Sequence, residues 1–471
     1  MHSKLNKKKS AFWCADAPCK AEYIAAGVIL VLLFFMFNHD DILETANHTW
    51  LLLEDTFSGN FMDYYTRTLA HENSLYYVNA AHYNILVYAL FAVWTLPLYI
   101  ICKLFALTPA PLLLTLWCKA LCCAFAVGCA WFTYRLAKKL GISDGNSKWA
   151  GMLFLLSPFT LFAAFCMGQY DSLCLFFTLL ALLFYFEKRY TAFAFVMGAA
   201  VVCKFFALFL LIPLLMLAQK RVLHLLKYLI ISMWAYIPTA LLFLHRDGDM
   251  GVFNKIIAER LFTSSIDGGA AQIPIFLVLY CVICAVCYFY HPVDEKAAMS
   301  AAMYVCLCVY SALFLLVLWH PQWLILLVPF MVLTTMKAEN KLPWWIADAV
   351  FFAGFALISY AIFEGQLEVN MIKSSAIGAL FSLSGSEGSQ TLAFYFNLLP
   401  FSQSIAAVLF AAPLVMNIAL KIPLAKGIPA DTLANKAYFA PSARAAVWGI
   451  FAFGFLAIFF IPCIFQLIKC L

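Results

Sequence analysis

Long apolar runs recur along the whole chain, separated by short polar punctuation, and leave few architectures open. In lipid, backbone of this kind satisfies its own hydrogen bonds only as helices, and there are too many runs for the core of a soluble domain. Composition agrees: 65% of the 471 residues are hydrophobic and 11% are charged, against about 25% charged in soluble domains. The chain is therefore expected to be an all-α polytopic membrane protein. No stretch between the runs exceeds about 50 residues, too few for a sizeable separate core. Any active site must be built by the bundle and its loops.

The formal net charge is +6, but Lys and Arg lie in a few short loops rather than along a stripe with interleaved aromatics. That distribution speaks for topology and against a nucleic-acid partner. Among the 17 cysteines, Cys281, Cys284 and Cys287 recur at helical spacing in one apolar run, and Cys122 and Cys123 sit in another. They read as small buried hydrophobes. No Cys/His zinc pattern is present.

Lys4, Lys7, Lys8, Lys9 and Lys20 precede the first run, 23–37, and hold the N-terminus in the cytoplasm. Asn38, His39, Asp40 and Asp41 follow it with no small-residue cleavage site, so an uncleaved first helix is expected. The next segment, 38–82, carries seven acids against Arg67 alone and reads as an extracytoplasmic loop. Placing the later basic clusters inside puts 21 of the 30 Lys and Arg residues in the cytoplasm and five, Arg67, Arg246, Lys255, Arg260 and Lys373, outside. The pattern needs hairpins between clusters and leaves run 84–105 over, as a re-entrant or membrane-parallel segment; the alternative, a true span there, would put Lys138 and Lys139 outside. About 13 spans result, over 23–37, 111–137, 149–167, 172–187, 191–203, 205–218, 225–244, 274–290, 299–319, 323–336, 344–363, 396–420 and 445–468. The arms of hairpin 190–218 rise only about 21 Å each, against about 30 Å of hydrocarbon. Its tip, Lys204, is expected to lie recessed.

Under this topology one outer face collects the polar residues that interrupt or cap the runs. They are Asp40 and Asp41 after the first run, Gln169, Tyr170 and Asp171 at one hairpin tip, Lys204 at the next, His245, Arg246 and Asp247, and then His320, Pro321, Gln322 and Trp323. Ionisable groups at membrane depth are expensive and mark functional sites by default. Cations and an imidazole facing carboxylates at headgroup depth suit transfer from a phosphate-bearing lipid. A carboxylate takes the proton of an attacking hydroxyl, while Lys, Arg or His neutralises the departing phosphate. Taken singly, Asp40 and Asp41 also fit a plain helix end, and Asp171 a plain helix cap.

At these residues the chain resembles the GT-C superfamily of membrane glycosyltransferases that use polyprenyl-phosphate sugars, and bacterial mannosyltransferase-like members in particular. The motifs are the acidic pair Asp40-Asp41, the tip Met167-Gly168-Gln169-Tyr170-Asp171-Ser172, Lys204-Phe205-Phe206 ahead of Pro213, and His320-Pro321-Gln322-Trp323. The likeness covers residues 23 to 335 and is strongest over 149–218. It implies that Asp41, or else Asp40, is the catalytic base, and that Lys204 holds the donor phosphate with contributions from His320 and Arg246. Asp171, Gln169, Tyr170 and Gln322 would shape the donor and acceptor pocket. The first loop would pack helices over the cavity through Trp50-Leu51-Leu52-Leu53 and Tyr64-Tyr65. The sequence departs from the family in having no proline over 78–84.

The organisation expected is a cytoplasmic N-terminus (1–22), a catalytic membrane module (23–220, with outer loop 38–82) and a C-terminal transmembrane region (221–471). The Ser/Gly-rich segment 382–390 falls in that last region. No cofactor is expected to be required, although His39 with Asp40 and Asp41 offers ligands for a divalent metal. The function expected is an inverting transfer of a hexose, mannose favoured, from a polyprenyl-phosphate carrier to a glycan, lipid or protein acceptor outside a bacterial cytoplasmic membrane. The alternatives are a transporter or flippase of a lipid-linked glycan and a non-catalytic assembly partner.

Overall fold

The computed structural model describes residues 17–70, 79–243, 259–269, 271–338, 341–360, 367–380, 392–425 and 447–453. Arg246 and its neighbours His245 and Asp247, like segment 382–390, lie outside the described residues. What is described is helical almost throughout, with one two-stranded antiparallel ladder, Ser265–Asp267 against Gln272–Pro274.

The first helix, Lys20–Met36 (α1), stops at an extended Phe37, and the chain turns by 75° into Asp40–Ser58 (α2). The turn is chemically specified. His39 stands at the N-cap of α2, where its imidazole accepts from the Asp41 N–H at 3.2 Å, and two carboxylates occupy the first helical turn. Negative charge there is favoured by the N–H groups that a helix N-terminus leaves unpaired. The α2 helix buries Trp50, Leu51, Leu52 and Leu53, and Tyr64 and Tyr65 pack behind it. Tyr64 donates to the His48 carbonyl and Tyr65 to the Tyr83 carbonyl. The first loop thus forms a braced layer rather than an open excursion.

Behind it stands the bundle. Helix Pro111–Lys139 (α3) packs against Asp144–Leu156 and Asp171–Phe186, and the last of these packs against Tyr190–Cys203. Leu208–Ala218 then lies against Ile275–Phe289 and Glu295–Leu316, while Ser402–Ala425 covers both Glu295–Leu316 and Leu342–Ile358. Val93, Ile100, Leu104, Trp131, Leu223 and Ile230 remain exposed on outward faces, as a lipid-facing surface requires.

The expected count of about 13 spans is not met. Among the described residues, four helices are long and apolar enough to cross a membrane, or up to seven if each of three sharply bent pairs crosses as one; the expected span 445–468 lies largely outside the described residues. Six of the expected spans are apolar helices shorter than 18 residues, Asp171–Phe186, Tyr190–Cys203, Phe205–Ala218, Ile275–Phe289, Pro321–Met336 and Leu342–Ile358, and hydropathy also adds up apolar residues without seeing bends. The run 149–167 is helix Asp144–Leu156 followed, after a 45° bend at Pro158, by a π-helical turn, and 225–244 is two short helices meeting at 51°. A proline denies the preceding turn a hydrogen bond and forces such breaks. Segment 84–105 is a continuous helix, Ile85–Leu104, and does not double back as a re-entrant segment would. The hairpin 190–218 has helical arms of 14 and 11 residues.

One glycine contact shows how closely the helices approach. On Leu342–Ile358, a Cβ at Gly354 would collide with the backbone of Leu409 and Phe410 on Ser402–Ala425. Gly354→Val is therefore expected to lower stability by about 1–3 kcal/mol through overpacking. The check is the midpoint of thermal aggregation read by size-exclusion chromatography in detergent, which should fall relative to the parent chain.

Candidate functional site

The tip between α3's two partner helices carries Gly168, Gln169 and Tyr170, then Asp171 opening helix Asp171–Phe186. Gly168 has φ +73°, a left-handed value that favours glycine. Opposite, helix Tyr190–Cys203 ends at Lys204, whose backbone is extended before a 3-10 turn begins at Phe205. These two tips meet. Lys204 Nζ lies 2.8 Å from Asp171 Oδ1, with both side chains buried. The ammonium also sits 4.9 Å from the Tyr170 ring centroid and 5.2 Å from that of Trp323. An ammonium has three N–H donors, and Asp171 occupies one side of it.

From this pair the site extends both ways. Gln169 Nε2 donates to Asp41 Oδ2 at 2.9 Å, across 128 residues of chain. Asp41 Oδ1 is 3.4 Å from His39 Nδ1, and 46% of the Asp41 side chain remains accessible, so the carboxylate is held from behind and open in front. Burial alone would push its carboxyl up, but the His39 contact and, beyond it, the Lys204 ammonium outweigh this and hold it below its ordinary range. It is ionised at physiological pH. On the other side His320 packs on Trp323 at 5.0 Å and Phe206 on Trp323 at 4.4 Å.

These groups line a cavity of about 410 Å³ together with Glu44, His48, Asn79, His82, Tyr83, Gln322 and Arg260. Of the residues expected from sequence, Asp41, Gln169, Tyr170, Lys204, His320 and Gln322 line it directly, and Asp171 stands behind Lys204. Asp40 does not. It accepts from Ser374 Oγ at 2.7 Å and lines a second cavity, of about 280 Å³, with Asn38, His39, Thr115 and Lys373.

Sequence reasoning missed three contributors. Arg260 stacks over Trp323, its guanidinium carbon 5.3 Å from the ring centroid. Glu44 sits one turn after Asp41 on the same face of α2 and accepts from Asn79 Nδ2 at 2.5 Å. Its carboxyl is pushed up, first by burial and then by the Asp41 charge. Tyr83 packs edge-on against Tyr170 at 4.8 Å. The i, i+3 spacing of Asp41 and Glu44 was the readable signal; Arg260 stood in a polar stretch with no periodicity to single it out. Among the described residues no cluster of three or more His, Cys, Asp or Glu residues is placed to hold a metal ion.

The His320 imidazole is held down from its ordinary 6.5 to about 3, by burial and then by the charges of Arg260 and Lys204, with His39 adding to this and Asp41 opposing it. It is therefore neutral here. No family model, no curated sequence and no solved structure matches the chain.

Two outcomes follow. Asp171→Ala leaves a buried ammonium unpaired and is expected to cost about 3–5 kcal/mol, whereas Asp171→Leu with Lys204→Met recovers most of it; thermal unfolding of the single and double variants measures this. For His320, the unfolded chain takes up its proton near pH 6.5 and the folded one only near 3. Stability therefore falls as pH drops through that window, and His320→Gln should flatten the melting temperature between pH 7 and 4.

Proposed function

We propose that this chain is an inverting hexosyltransferase of the GT-C type, moving a sugar, mannose favoured, from a polyprenyl-phosphate carrier to an acceptor on the extracytoplasmic face of a bacterial cytoplasmic membrane. The observation that supports this reading is the convergence, on one cavity, of an ionised carboxylate (Asp41) with cationic and neutral donors for phosphate (Lys204, Arg260, His320) from segments far apart in sequence. A cavity of this size suits a hexosyl phosphate. Tyr83, Tyr170, Phe206 and Trp323 offer ring faces for a sugar or the first isoprene unit. Gln322, whose Oε1 is buried without a hydrogen-bond partner among the described residues, offers an acceptor for a sugar hydroxyl.

The chemistry runs as a single displacement. Asp41 accepts the proton of the acceptor hydroxyl as its oxygen bonds to the anomeric carbon. The anomeric C–O bond to phosphate breaks, and polyprenyl phosphate departs with the bonding pair. Lys204 and Arg260 neutralise the charge it gains, and His320, neutral, donates a hydrogen bond. A phosphate leaves as a weak base, so no acid is required. Gln169 keeps Asp41 facing the cavity, and Asp171 sets the position of Lys204.

The test is release of free polyprenyl phosphate from a panel of polyprenyl-phosphate hexoses by purified protein in nanodiscs, with membrane extract as acceptor source, read by mass spectrometry. Asp41→Asn is expected to lower turnover by about 10²–10⁴-fold, and Lys204→Ala and Arg260→Ala to slow it at least tenfold, with all three proteins folded. Transbilayer movement of the lipid without release of polyprenyl phosphate, or full turnover in Asp41→Asn, overturns the reading.

A further inference from the structure

One charged side chain buried at membrane depth takes no part in that cavity. Lys119 lies in the apolar run of α3, fully buried, where an ammonium is costly unless its donors are used. They are used on α1. Lys119 Nζ donates to the carbonyl of Phe34 at 2.8 Å and to that of Phe37 at 2.5 Å, and lies 5.2 Å from the Phe34 ring centroid. A helix leaves the carbonyls of its last turn unpaired, and a cation is favoured at that end. With no water in the hydrocarbon to satisfy them, such carbonyls need a donor from the protein.

The same side chain touches the other half of the site. A Cβ at Gly168 would meet Lys119 Cγ at 2.9 Å and its Cβ at 3.3 Å, so the lysine stem lies flat against the backbone of the Gly168–Asp171 tip. One turn further along α3, Cys123 Sγ donates to the Ala164 carbonyl at 3.2 Å and Ser172 Oγ donates to the Cys122 carbonyl at 2.9 Å. Positions 119, 122 and 123 share one helical face. That face grips the end of α1, from which Asp41 hangs four residues on, and the tip from which Gln169 reaches Asp41.

We propose that Lys119 is a positioning residue: a buried ammonium that caps the first helix and serves as the spacer between the carboxylate turn and the Gln169 tip, fixing Asp41 in register with the cavity. It touches no substrate. Its kinetic consequence rests on the hexosyltransferase reading, whereas its geometric consequence does not.

The experiment has two arms. In the first, Asp41→Cys with Gln169→Cys is bridged by a short bis-thiosulfonate reagent in detergent-purified full-length protein, and the bridged peptide is measured by mass spectrometry. A high yield is expected with Lys119 present, and a yield at least fivefold lower with Lys119→Met, which keeps the stem's bulk and removes the donors. Unchanged yield in Lys119→Met overturns the proposal. If Lys119→Met is not monodisperse, Lys119→Leu, which also lacks the donors, is read for the same two outcomes. In the second arm, polyprenyl phosphate release by Lys119→Met, with Asp41 and Gln169 intact, should show kcat lower by about 10²-fold, the effect of roughly 1 Å of misplacement. The donor KM should stay within about threefold, since uniform binding is untouched. An unchanged kcat overturns the kinetic claim. Failure of the parent protein to release polyprenyl phosphate from any donor counts against the hexosyltransferase reading and leaves the bridging arm to decide the proposal.

Discussion

A lysine ammonium and an aspartate carboxylate, 2.8 Å apart between two hairpin tips, set the arrangement of everything around them. Separating two buried charges leaves each with a desolvation cost that nothing nearby repays, so the tips of 167–171 and 203–206 move as one. The rings of Tyr170 and Trp323 complete the surround of the ammonium. Trp323 carries His320 on one side and Arg260 on another, and Gln169, two residues before the aspartate, reaches Asp41. The cavity is thus the space left around a charge pair whose geometry the membrane enforces.

Much of this was legible because a polar residue inside an apolar run has no cheap explanation. Asp41, Gln169, Tyr170, Asp171, Lys204, His320 and Gln322 stand out for that reason alone, and seven of the eight expected residues that are described fall at one cavity or directly behind it. Asp40 is the exception, since adjacent residues on a helix project about 100° apart, and only one of a neighbouring pair can face inward. Arg260 and Glu44 were hidden for the opposite reason. They occur among other charged residues, where one more charge carries no information. Lys119 interrupts an apolar run as plainly as Lys204 does, but its partners are main-chain carbonyls, which have no signature in sequence.

Span counting failed in an instructive way. Apolar content marks which segments are buried, while length and straightness decide which of them cross. Bends at 157 and 233–235 divide runs that hydropathy joins, and six further runs form helices of fewer than 18 residues. The C-terminal half also comes closer to the site than its pattern suggests. Asn38 N–H donates to the Met371 carbonyl and Asn38 Nδ2 to that of Ser374, so segment 367–380 braces the acidic turn from outside. Deeper in the bundle, Lys421 Nζ donates to the hydroxyls of Thr334 and Thr335. That contact ties helix Ser402–Ala425 to the segment that follows His320.

The contact between Lys119 and the end of the first helix also has a history in time. The carbonyls of Phe34 and Phe37 are made 85 and 82 residues before the side chain that satisfies them. At translation rates of about 5–20 residues per second, the wait is on the order of 4–16 s. Throughout it the carboxylate turn hangs from a helix with an open end, and water at the membrane surface or the insertion machinery must serve in place of the lysine. The acidic turn is among the earliest parts of this chain to be synthesised and among the later ones to reach its final place.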